Sequence, residues 1–209
     1  MTKDLSEYWS KLNGAVHPAD VLEFELRPDH GFNLQFPPPA FIGDIINAPI
    51  IILENNGGYS ASLTPAEFPD QNADDEFRDM LSKPRPVSRN ERTISPYYLE
   101  RNYTQWLVDG VAALVNGVAY RSVDGKAKHV NKMTKSLPSA LFHQQWLRQV
   151  LLPQAERGDR FIIVHRWTRW NRAAEALRDC PNAVFSSAPV SPNLTTNETR
   201  AGLSFLERH

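Results

Sequence analysis

The stretch Ala48-Pro49-Ile50-Ile51-Ile52-Leu53, followed at once by Glu54-Asn55-Asn56-Gly57-Gly58-Tyr59-Ser60, decides the fold class. Its apolar run is rich in β-branched residues and shows no alternation with polar ones. That pattern suits a strand buried on both faces, as in a parallel sheet. Pro49 stands at its start, where a missing N–H is tolerated.

Three further runs repeat the pattern downstream. Val111-Ala112-Ala113-Leu114-Val115 leads into Asn116, Phe161-Ile162-Ile163-Val164 into His165, and Ala183-Val184-Phe185 into Ser186-Ser187. Helical stripes fill the intervals. Ser95-Pro96 reads as an N-cap and first helical residue, with Leu99, Tyr103, Trp106 and Leu107 on one face and Gly110 as the stop. Leu141, Phe142, Trp146, Val150 and Leu151 form a second stripe, expected to break near Pro153. Trp170, Ala173, Ala174 and Leu177 form a third, and the segment around Tyr8-Trp9 and Leu12 adds a fourth. Alternating strands and helices imply right-handed crossovers. The expected architecture is therefore α/β: a three-layer α/β/α domain around a central, mostly parallel four-stranded sheet. The whole chain, 1–209, reads as one domain, with 1–40 as an N-terminal elaboration.

Composition agrees with a globular chain: 209 residues, 41% hydrophobic and 22% charged. The single cysteine, Cys180, excludes an intramolecular disulfide framework and a cysteine-based zinc site. The six histidines show no H-E-x-x-H spacing. No G-x-G-x-x-G, Walker lysine or G-x-S-x-G is present. Neither a metal nor a cofactor is expected. No apolar run approaches the ~20 residues of a membrane span, and Met1-Thr2-Lys3-Asp4 lacks a signal-peptide core. These features set the expectation of no membrane partner and a cytoplasmic setting.

The net charge of −1 hides segregation. In residues 65–79, Glu67, Asp70, Asp74, Asp75, Glu76 and Asp79 face only Arg78. In 121–135, Arg121, Lys126, Lys128, Lys132 and Lys135 face only Asp124; in 157–172, Arg157, Arg160, Arg166, Arg169 and Arg172 face only Asp159. Basic clusters of this kind are compatible with a polyanion.

In open α/β sheets ligands bind at the carboxyl ends of the strands, so the residues expected just after each strand are the site candidates. The first exit carries Asn56, Gly57, Gly58 and Tyr59; the glycines allow close backbone approach. The second carries Asn116, whose amide can present a bidentate edge to a base, and Arg121. The third is His165-Arg166-Trp167-Thr168-Arg169-Trp170, where Arg and Trp alternate as stacking and phosphate contact require. The fourth, Ser186 to Asn193, is a loop of small polar residues with two prolines.

Taken together, the four exits resemble the uracil-DNA glycosylase superfamily over roughly residues 40–195. Asn56-Gly57-Gly58-Tyr59-Ser60 resembles its first motif, with Gly57 where proline would stand. Leu114-Val115-Asn116 resembles the strand ending in the asparagine that reads the uracil edge. Ser187-Ala188-Pro189-Val190-Ser191 stands where its His-Pro-Ser motif would be, with no histidine near Ala188. The resemblance implies a catalytic role for Asn56, which would orient the attacking water. It implies base binding by Asn116, Tyr59 and Phe68, and DNA contact by Gly57, Gly58, Arg121, Arg166, Ser187 and Ser191. It implies DNA, single- or double-stranded, as partner and no cofactor. Beside this DNA N-glycosylase stand two alternatives: a non-catalytic nucleic-acid or nucleotide-binding protein of the same fold, and an unrelated α/β hydrolase or transferase. The sequence leaves the oligomeric state open.

Overall fold

The structure, a computed structural model, describes residues 4–124 and 127–208. Lys126 of the basic segment lies outside the described residues. The strands are β1 (Phe32–Asn33), β2 (Phe41–Ile42), β3 (Ile50–Gly58), β4 (Ala112–Ser122), β5 (Phe161–Val164) and β6 (Ala183–Phe185). The α-helices are α1 (Leu5–Trp9), α2 (Val21–Leu26), α3 (Thr64–Glu67), α4 (Gln71–Ser82), α5 (Pro96–Leu99), α6 (Thr104–Val108), α7 (Lys128–Met133), α8 (Pro138–Trp146), α9 (Leu152–Glu156), α10 (Arg172–Glu175) and α11 (Thr196–Leu206).

Ile50, Ile51, Ile52 and Leu53 are fully buried because β3 runs parallel between β4 and β5, with helices on both sides of the sheet. On one side Trp9, Tyr120, His143 and Trp170 form an aromatic layer. On the other, α11 approaches closely because it presents Gly202: a Cβ there would lie 3.3 Å from Ile50 Cδ1. Leu5, Trp9, Leu12, Phe24 and Phe32 belong to the same core as the strands, so the described residues of the N-terminal segment are built into it.

The sheet order is β1-β4-β3-β5-β6, with β2 also on β4. The four parallel strands are the four runs the sequence marks out. The expectation of a four-stranded sheet is corrected: there are six strands in a mixed sheet, because β1 and β2 pair antiparallel with β4. Two-residue strands carry no periodic signal and form only because the long edge of β4 is there to pair with.

A second correction concerns the first two strand exits. β3 continues through Asn56 to Gly58, and β4 through Asn116 to Ser122. These polar and glycine residues are extended because β4 finds partners along its whole length: Asn33 and Phe32 pair with Arg121 and Ser122, and Tyr59 N–H donates to Ser122 O. Tertiary pairing overrides local strand propensity here. The β3–β4 register slips between Asn56 and Gly58, an irregularity that re-aims side chains as bulges beside functional sites do.

Two helical expectations change as well. Ser95 caps α5, its side chain accepting from Tyr97 N–H, but the stripe to Leu107 is split into α5 and α6. Gly110, at φ 72°, makes the stop. The helix expected to break near Pro153 continues, because a π turn over Leu147–Leu151 shifts the hydrogen-bond register just before the proline.

Candidate functional site

The chain passes from β3 to β4 on one side, then crosses to β5 on the other side of β3. This reversal is a topological switch point, where doubly wound sheets leave a crevice beyond the carboxyl ends of the strands. A cavity of about 850 Å³ lies there, within the usual range for ligand sites. Its wall includes Glu54, Asn56, Tyr97, Tyr98, Asn116 and Arg166, together with the exposed Leu63, Val123 and Val190.

Glu54 and Asn116 are Cα partners in the β3–β4 register, and Asn56 follows two residues on. Alternation along a strand puts Glu54 and Asn56 on one face. Asn116 is fully buried. Its Nδ2 donates to Pro39 O at 2.6 Å and lies 3.4 Å from the Tyr98 hydroxyl oxygen. A carbonyl can only accept, so the amide orientation is forced, and Oδ1 is left with no partner. The Tyr98 hydroxyl, accepting from Asn116, keeps its own hydrogen to give. Asn116 Oδ1 and Tyr98 O–H thus form an adjacent acceptor and donor.

Glu54 is 3% exposed. Its Oε2 lies 3.2 Å from Arg166 Nε, while Oε1 has no hydrogen-bond partner. Burial raises its pKa above the ordinary carboxylate range, against the opposing pull of Arg166 and His165. Arg166 also donates to the Tyr97 hydroxyl at 3.0 Å and to Ser191 O at 3.1 Å. A perturbed carboxylate in a cleft is a functional-site signal.

Behind Glu54, His165 is fully buried. Its Nδ1 is 2.8 Å from Glu198 Oε1 and its Nε2 2.9 Å from Ser191 O. Both neighbours are pure acceptors when Glu198 is ionised, so both ring nitrogens carry protons and the ring is cationic. Burial alone would lower its pKa, but Glu198, Glu54 and the Ser191 carbonyl raise it. Glu198 also accepts from Ser186 Oγ and from Thr195 N–H, closing the capping box of α11. This cluster anchors the Ser186–Asn193 loop against the sheet.

The residues singled out from sequence are distributed as follows. Asn56, Asn116, Tyr59, Gly58, Arg121 and Arg166 share the cavity wall. Asn56 is half-buried, its Nδ2 donating to Gly57 O and Ser122 Oγ, both at 2.9 Å. Tyr59 stacks on Phe36. Gly57 serves packing: a Cβ there would lie 2.6 Å from Pro39 Cγ. Phe68 sits off the wall, buried against Phe36 and Phe77 with the Arg121 guanidinium over its ring. Arg121 is itself buried and paired with Glu67 at 3.0 Å. Ser187 is exposed and off the wall, and Ser191 contributes its carbonyl to His165 and Arg166. Tyr97, Tyr98 and Glu54 were not singled out. Glu54, an acid immediately ending a wholly apolar strand run, carried a readable signal; the two tyrosines lie on a separate short helix.

Among the described residues no cluster of three or more His, Cys, Asp or Glu could hold a metal ion. No helix among them is long and apolar enough to cross a membrane. Comparison with protein-family models, curated proteins and solved structures finds no match.

Proposed function

We propose that the chain holds a nucleobase in this cavity and hydrolyses its N-glycosyl bond, in DNA or in a nucleotide, with the cytoplasm as its expected setting. The observation that carries the reading is the acceptor and donor pair of Asn116 Oδ1 and Tyr98 O–H, desolvated at the cavity wall. A base edge that offers N–H beside C=O would satisfy both, and desolvated polar pairs discriminate strongly against ligands that leave them unmatched. Tyr59, Tyr97 and Trp167 supply aromatic surface for stacking, a role Phe68 is not positioned to take. An extrahelical base of a polymer must be taken out of its stack to reach such a pocket.

Glu54 is the general base of this reading, and Asn56 Oδ1 helps orient the water. Water oxygen bonds to the anomeric carbon, its proton passes to the Glu54 carboxylate, and the carbon–nitrogen bond breaks with its electron pair leaving on the base. Tyr98 O–H steadies the charge that develops there. A raised carboxylate pKa brings the base closer to neutral pH, where general-base catalysis is most effective.

The second reading is a non-catalytic nucleotide- or nucleic-acid-binding protein; the Arg166–Glu54 ion pair favours it, because it engages the carboxylate. The test is incubation with uracil-containing single- and double-stranded oligonucleotides followed by alkali, alongside chromatography for uracil freed from dUMP. Base release that disappears in Glu54→Gln supports the hydrolase. Binding without release supports the second reading, and neither binding nor release overturns both.

A further inference from the structure

The cations around the cavity differ in one respect. Arg166 faces Glu54, Arg121 faces Glu67 and His165 faces Glu198. Arg169, also on the wall, is different: among the described residues no carboxylate forms an ion pair with it. It is nevertheless 4% exposed, and its Nε is buried with no hydrogen-bond partner. An arginine does not shed its proton, and a buried charge without a counter-charge is costly. Such a residue is held in place by the fold and completed by a ligand.

The holding is explicit. Arg169 N–H donates to Asn55 Oδ1 at 3.1 Å, tying its backbone to β3. Nη1 donates to Asn131 Oδ1 on α7. Gly117, next in sequence to Asn116, gives the room: a Cβ there would stand 3.0 Å from Arg169 Cβ. One edge of the guanidinium is thus braced while Nε, part of the fork that binds oxyanions side-on, has nothing to donate to.

We propose that Arg169 is the anion subsite of the cavity and binds the phosphate of the ligand, so that the ligand is a phosphorylated nucleoside rather than a free base or nucleoside. This rests on the nucleobase reading for the identity of the remainder of the ligand; the anion subsite itself rests on Arg169 alone. The cavity volume of about 850 Å³ accommodates base, sugar and phosphate together. A guanidinium this deep suits a terminal monophosphate, which can enter the cavity with no chain continuing beyond it.

The test compares dUMP, deoxyuridine and 2-deoxyribose 5-phosphate by calorimetry and thermal shift on the full chain. The expected result is that dUMP binds at least about tenfold more tightly than deoxyuridine, as one charge-assisted bidentate contact provides. In Arg169→Gln the two should bind alike, with deoxyuridine affinity unchanged, and Arg169→Lys should restore part of the difference. Equal binding of dUMP and deoxyuridine to the wild type would overturn the anion subsite while leaving the nucleobase reading intact, and needs no variant to fold. Binding of 2-deoxyribose 5-phosphate, lost in Arg169→Gln, with no preference for dUMP over it, would support the subsite and overturn the base reading. No binding of any of the three overturns both.

Discussion

Glu54 and Asn116 stand opposite each other in the β3–β4 register, and each keeps one side-chain oxygen without a hydrogen-bond partner. Both are almost wholly buried. An unsatisfied buried acceptor costs ~1–3 kcal/mol, so two side by side at a switch-point cavity mark the place where a ligand completes the structure. Under the proposed function the relationship also divides labour: one oxygen is the base, the other a hydrogen-bond acceptor.

Substitution separates the two roles. Glu54→Gln keeps the shape and removes the base; kcat for base release should fall by ~10²–10⁴-fold with KM little changed. Asn116→Ala removes the acceptor and should lower kcat/KM ~10–100-fold, as loss of one buried hydrogen bond does. Steady-state kinetics on both variants checks this, and an unchanged kcat in Glu54→Gln removes Glu54 from the chemistry.

The pH profile follows from the same carboxylate. Burial raises Glu54 above 4.5, and the base must be ionised to accept a proton. Activity should therefore climb with pH along an acid limb whose midpoint lies above 4.5. The limb should vanish from the residual activity of Glu54→Gln. A limb centred at or below 4.5 in the wild type contradicts this assignment.

His165 makes a different prediction, about stability. Its pKa is raised above 6.5 in the fold, and that of Glu198 is held below 4.5 by His165 and Thr195 although burial pulls it up. For a raised histidine the stabilisation is complete below pH 6.5 and is lost as pH rises through the folded value; for the lowered glutamate it is complete above pH 4.5 and is lost as pH falls through the folded value. Melting temperature should decline as pH rises above about 6.5, and His165→Gln should flatten that decline. Equal alkaline slopes in the two proteins would show that the pair does not titrate as described.

His143 has the opposite sign. Trp9 Nε1–H donates to its Nε2 and its Nδ1 donates to Asn116 O, both at 2.7 Å, so the ring is neutral. Burial pushes its pKa down to about 4. Between pH 4 and 6.5 the unfolded chain binds the proton and the folded chain does not, so stability rises with pH over that window. The expected gain is up to ~3 kcal/mol, read from urea midpoints at the two ends. His143→Phe should reduce this acid dependence.

How much of this was legible beforehand depends on which physics set each element. The runs of β3, β4 and β5 showed because burial on both faces leaves an unbroken apolar stretch, as in Ile50–Leu53; β6, at the sheet edge, is apolar but only half-buried. The polar extensions of β3 and β4 did not show. Asn56, Gly57 and Asn116 carry no strand signal of their own, and their conformation comes from the pairing of β3 with β4 and from the close seat of Pro39 against Gly57. Asn116 and Arg166 could be picked out because both stand at or just beyond the end of an apolar run. The resemblance implies a base contact for Phe68 and a DNA contact for Arg121, whereas here the Arg121 guanidinium lies over the Phe68 ring and pairs with buried Glu67. No local pattern announces a partner more than fifty residues away.

That buried pair gives the last prediction. Arg121 Nη2 lies 3.0 Å from Glu67 Oε2, with side chains only 2% and 4% exposed. The Coulomb attraction at this depth largely offsets the desolvation of both ions, so the pair adds little net stability, but either partner alone is an uncompensated buried charge. Arg121→Met should cost ~3–5 kcal/mol, and Glu67→Leu a similar amount. The double variant should recover most of the loss, because no charge then remains buried and the apolar side chains fill comparable volume beside Phe68. A double-mutant cycle by chemical denaturation measures this directly. Additive losses, with no recovery in the double variant, would mean that Arg121 and Glu67 act separately and that Arg121 is free to serve the cavity it borders.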